Sequence, residues 1–191
     1  MLIATALAVA LTVNVSAAPD IRPELVSRVL AETDTIWRNF GVTFSWQRAP
    51  RAVASAALNV VIGHNVHPVR AGGFALGWIM FEDSTPAPDI YVSYAHAYQL
   101  LVESSPVVGR LENMPRFERE TLLARAMGRA LAHEIGHYLL GSKEHTATGM
   151  LKAHRTALEF FGPDDRYFSL DAEQQSAITV RLRQELLIVS Q

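Results

Sequence analysis

The chain has no cysteine among its 191 residues. That absence excludes disulfides, a thiolate metal site, a thiol nucleophile and any cysteine-bearing inhibitory segment within the chain. It also lacks a strong charge of either sign, with a formal net charge of -2. Nothing in that balance calls for nucleic acid or an anionic membrane surface as a partner. Internal repeats and low-complexity segments are missing as well. Apart from the N-terminus, no apolar run is long enough to span a bilayer. What remains is a chain 49% hydrophobic, of a length that suits one domain with a substantial core.

The first residues, "MLIATALAVALTVNVSAAPD", form an apolar run ending in small residues before Pro19 and Asp20. Val15-Ser16-Ala17 fits a small-x-small cleavage site, although no Lys or Arg precedes the run. Residues 1–17 are therefore expected to be an export signal, with an uncleaved anchor or a buried strand or helix as the alternatives. The domain is expected over 18–191, in a secreted or periplasmic protein of bacterial type. If the signal is cleaved, no stable membrane association remains.

After this segment, Leu25, Val26, Val29, Leu30, Ile36, Trp37 and Phe40 recur at helical spacing. Pro23 suits the first turn and Gly41 the stop. Val42, Phe44 and Trp46 alternate as on a strand. "ALNVVIG", "FALGWIMF" and "IYVSY" read as further strands. Polar loops are expected between them, including the Pro-rich "EDSTPAPD". A long helix is expected over Arg116–Leu140. A final helix follows Asp171, which forms a capping box with Gln174 and is continued by an Ile178, Leu182, Leu186 stripe.

The long helix ends in "HEIGHYLLGSKEH", from His133 to His145. Residues four apart on a helix lie about 6 Å apart along its axis and on nearly the same face. His133 and His137 can thus reach one ion. Glu134, beside the first histidine, can reach a water at that ion without binding it. A tetrahedral zinc site of this kind needs a third protein ligand and keeps one position for water. On an unbroken helix His145 would lie about 12 Å beyond His137. Gly141 stands where a left-handed residue would end the helix and turn the chain back, bringing His145 to the ion. Gly136, inside the helix, implies close packing of another element.

With these residues in hand, the chain resembles the metzincins, zinc-dependent endopeptidases whose motif is HExxHxxGxxH followed by a methionine turn. Here His133, Glu134 and His137 match. Gly141, His145 and Met150 follow in the expected order, at wider spacing. The resemblance implies an α+β domain: a small mixed sheet with an N-terminal, an active-site and a C-terminal helix. It implies Zn2+ held by His133, His137 and His145, with Glu134 as the catalytic general base. Met150 would support the site by packing. Glu144, His154 and Glu159 are the other candidates for third ligand. A tyrosine that some metzincins carry two residues after the methionine is replaced by Lys152.

The expected activity is hydrolysis of a peptide bond in a peptide or protein substrate, laid along "GGFALGWIMF" as an added strand. The alternative is a zinc-binding but inactive module that recruits a partner through the same groove. His64, His67 and His96 are expected to be surface or packing residues. Tyr94, Tyr138 and Tyr167 are candidates to reach the cleft. Substrate specificity and oligomeric state are not legible.

Overall fold

The structure, a computed structural model, describes residues 9–48, 58–64 and 75–189. Five strands form one sheet: β1 (Val9–Ala17), β2 (Val42–Arg48), β3 (Leu58–Gly63), β4 (Gly77–Glu82) and β5 (Thr85–Ser93). Their order is β2-β1-β3-β5-β4. The first four in that order run parallel, while β4 pairs antiparallel with β5 at the edge.

Six helices accompany the sheet: α1 (Pro23–Arg38), α2 (Tyr94–Glu103), α3 (Ser105–Val108), α4 (Arg116–Leu140), α5 (Ala157–Phe161) and α6 (Ala172–Val189). The α+β domain expected from sequence is therefore present, with α1, α4 and α6 at the expected places and α2, α3 and α5 in addition. Burial of the apolar stripe on α1 positions it against α4. The Trp37 indole donates to Ala132 O at 3.2 Å and the Thr33 hydroxyl to Gly128 O at 3.0 Å. The C-terminal helix starts with the reciprocal cap read from sequence, Gln174 N to Asp171 Oδ1 and Asp171 N to Gln174 Oε1. Ile178 and Leu182 on it are buried. The side chain of Leu186 lies outside the described residues, as do 1–8 and His67.

The structure corrects the reading of residues 1–17. Val9–Ala17 is not a segment apart from the domain but the strand β1, paired on one side with β2 and on the other with β3. Leu11, Val13 and Val15 are buried in the core. An interior strand is as apolar on its covered face as a signal segment, which is why composition misleads here. Cleavage after Ala17 would take β1 out of the sheet. The domain thus extends N-terminal to residue 18.

Two local readings also change. Of "EDSTPAPD", Asp83 and Ser84 form the tight turn, both at positive φ, as a two-residue hairpin loop requires. Thr85 to Asp89 belongs to β5, whose pairing with β3 begins at Asp89. Pro86 and Pro88 precede that pairing, where a missing N–H breaks no β3 ladder bond. The helix α2 was not read from sequence. Ser93 caps it, its hydroxyl accepting from His96 N–H at 3.2 Å. No described helix is long and apolar enough to cross a membrane.

Candidate metal centre

The last two turns of α4 present His133 and His137, and Gly141 closes the helix in the left-handed conformation, φ 61° and ψ 27°. Ser142 N–H returns to His137 O at 3.3 Å, so the chain reverses within one residue of the glycine. This reversal carries His145 back over the helix. Its ring lies 5.4 Å from that of His133 and 4.9 Å from that of His137, centroid to centroid. One nitrogen from each of the three imidazoles falls within 4.8 Å of the others.

The tautomers follow from the hydrogen bonds. His133 Nδ1 lies 2.8 Å from Met150 O, and His137 Nδ1 lies 2.7 Å from Ser142 O. A carbonyl oxygen can only accept, so each Nδ1 carries the proton. Each Nε2 then holds a lone pair, and the two Nε2 atoms face each other at 3.0 Å. Two lone pairs so placed repel unless a cation lies between them. Zinc–nitrogen bonds of about 2.0–2.1 Å to two tetrahedral ligands would set those nitrogens roughly 3.3 Å apart. Burial and the neighbouring His137 push the His133 pKa down to about 3, and burial lowers that of His137 too. Both shifts favour the neutral ring that ligation requires. The donor set fits a tetrahedral N-binding dication.

Glu134 stays out of the cluster and points toward β4. Burial raises its pKa to about 8, against the pull of a hydrogen bond from Ile79 N–H. Gly77 on β4 leaves the space for it: a β-carbon there would sit 3.1 Å from Glu134 Cγ. A cleft of about 680 Å³ opens over the group, bounded by β4 residues such as Ile79 and Phe81 and by Lys143, Lys152 and His154.

Met150 lies beneath, fully buried. It packs on α4 where Gly136 has no side chain; a β-carbon at Gly136 would stand 3.0 Å from Met150 Cγ and from Leu151 Cδ2. The close-packed element that Gly136 implied is therefore the Met150 turn.

Among the described residues, Glu144, His154 and Glu159 are not in the converging group. The Glu159 carboxylate is engaged elsewhere, by Lys152 Nζ at 2.8 and 3.0 Å and by Thr156 N–H at 2.8 Å. His64 pairs with Asp20 at 2.6 Å, and His96 Nδ1 meets Ala75 O at 2.7 Å. None of Tyr94, Tyr138 and Tyr167 lines the cleft. Sequence reasoning missed the groups hydrogen-bonded to the histidines, Ser142 O and Met150 O, and missed Ile79 N–H. Backbone carbonyls and amides carry no residue-type signal, so nothing in the sequence marks them.

No protein-family model matches the chain, and no curated protein matches it. Among solved structures it is similar to archaemetzincin from Methanopyrus kandleri, at 14% identity and a TM-score of 0.58. The match covers 91% of this chain and 96% of that one. Likeness at this identity establishes the fold alone: an α+β domain with the fold of archaemetzincin, as expected from the sequence.

Proposed function

We propose that the chain is a zinc-dependent peptidase, with His133, His137 and His145 as the metal ligands and Glu134 as general base. The observation that carries this reading is the convergence of the imidazole nitrogens, two of them with lone pairs fixed inward by backbone carbonyls. Zinc held there supplies Lewis acidity toward a substrate carbonyl and lowers the pKa of a water to about 7.

The chain's own groups do the rest. Glu134 takes the proton of the attacking water and returns it to the leaving nitrogen, base first and acid second. A hydrogen bond from Ile79 N–H holds the orientation of its carboxyl. The edge strand β4 runs beside it and offers backbone groups to an extended peptide. The expectation of a secreted or periplasmic enzyme rested on residues that the fold uses as β1, and no location is proposed from them.

The test uses the full chain. Bound metal is measured alongside cleavage of an unstructured protein, with and without chelator. We expect about one zinc per chain and loss of cleavage on chelation. Glu134→Ala should keep the zinc and lose turnover. A wild-type chain that binds no zinc would sink the reading; one that binds zinc but cleaves nothing would support the binding-module alternative.

A further inference from the structure

The carbonyl oxygen of Met150 accepts two hydrogen bonds. One comes from His133 Nδ1–H at 2.8 Å, the other from Arg155 Nη2 at 3.0 Å. The same Nη2 donates to Gly149 O at 2.6 Å, and Nη1 donates to Tyr167 O at 3.3 Å. The guanidinium carbon lies 3.8 Å from the centre of the Phe168 ring. The Arg155 side chain is only 3% exposed.

Its nearest carboxylate, that of Glu159, is 3.9 Å away and already bound to Lys152. Charge pairing is therefore a poor account of this buried cation. Stability alone is no better, since apolar residues of similar volume often replace buried charges without loss. What the guanidinium does that no apolar side chain can do is hold three carbonyls at once with a rigid fork. Two of the three belong to the turn under the histidines.

We propose that Arg155 is a positioning residue of the metal centre. It fixes the Met150 carbonyl in place, and that carbonyl fixes the ring plane and tautomer of His133. The lone pair of His133 Nε2 is thereby aimed before any ion arrives. The inference rests on the reading of the three histidines as metal ligands. Partners of metal-bound histidines matter in just this way, and their loss typically costs 10–100-fold in affinity. Lysine at 155 would keep the charge but lose the fork.

The experiment compares the full-length wild type with Arg155→Met, Arg155→Lys and Arg125→Met. Arg125 is the control: it also donates to a backbone carbonyl, Phe161 O at 3.0 Å, but not to the turn. Zinc affinity is measured by competition with a chromophoric chelator. The melting temperature of each metal-free protein and the imidazole nitrogen spectrum of His133 are recorded in parallel. Arg155→Met should weaken zinc roughly 10–100-fold and Arg155→Lys by less, with loss of the single His133 tautomer in both. Arg125→Met should lower the melting temperature and leave zinc affinity within about twofold. If Arg155→Met does not fold, Arg155→Lys carries the comparison. Wild-type affinity and an unaltered His133 spectrum in a folded Arg155 variant would overturn the proposal. A wild type that takes up no zinc defeats the metal reading itself, a distinct result.

Discussion

Gly77 and Glu134 face each other across the junction of β4 and α4, at a distance that would press a methyl group tightly against the glutamate. A β-carbon on Gly77 would stand 3.1 Å from Glu134 Cγ and 3.2 Å from Tyr91 O. The backbone oxygen cannot easily yield, so the Glu134 carboxyl must. Small displacements of a reacting group are costly, about 100-fold in rate for 1 Å. Gly77→Ala should therefore cut turnover on the order of 10-fold. Zinc content should not change, because the atoms nearest a β-carbon at Gly77 belong to Glu134 and Tyr91 and not to the histidines. Parallel kinetics and metal analysis check this; lost zinc in Gly77→Ala would contradict it.

Removal of residues 1–17 should destroy the fold. β1 is hydrogen-bonded on both sides and places Leu11, Val13 and Val15 in the core. A chain starting at Pro19 should be insoluble, or show no cooperative unfolding by circular dichroism. Mass spectrometry of folded protein from its native cells should find Val9–Ala17 retained. A soluble, cooperatively melting chain from Pro19 would show that β1 is dispensable.

His145→Ala should weaken zinc by more than the roughly 10–100-fold that loss of an orienting partner costs. His154→Ala and Glu159→Gln should leave zinc affinity near that of the wild type, since neither residue joins the cluster. The three titrations together separate the candidates for third ligand. Unchanged affinity in His145→Ala would hand the role to another residue.

Gly141→Ala should cost about 1 kcal/mol in urea unfolding, because the residue sits at φ 61°. Asparagine tolerates that conformation, so Gly141→Asn should recover most of the loss. Equal stability of the two variants would mean that the left-handed cap does not set the cost.

Elements whose identity depends on local chemistry were legible. The long helix occupies the span that its apolar spacing predicts, Arg116–Leu140, and the Asp171–Gln174 cap forms as the residue types dictate. The turn at Gly141 and the return of His145 followed from one glycine. β1 was misread because length and composition outweighed period. Leu11, Val13 and Val15 alternate with Thr12, Asn14 and Ser16, a two-residue repeat that a signal segment does not need. The inner edges of the site stayed out of reach for another reason. Met150 O, Ser142 O and Ile79 N–H act through the main chain, and the contacts of Arg155 lie in an irregular segment whose path no residue pattern marks.

The histidines and the carbonyls that aim them come from one continuous stretch, His133 to Met150, closed by short loops. The groups around Glu134 come from β4, a strand distant in sequence, paired with β5 and packed on α4 through Gly77 and Ile79. On the proposed reading, the metal ligands and their carbonyl partners are set by one local segment, while the surroundings of the general base depend on contact between segments far apart in sequence. On that reading, a substitution that loosens β4 against α4 should cost turnover before it costs zinc.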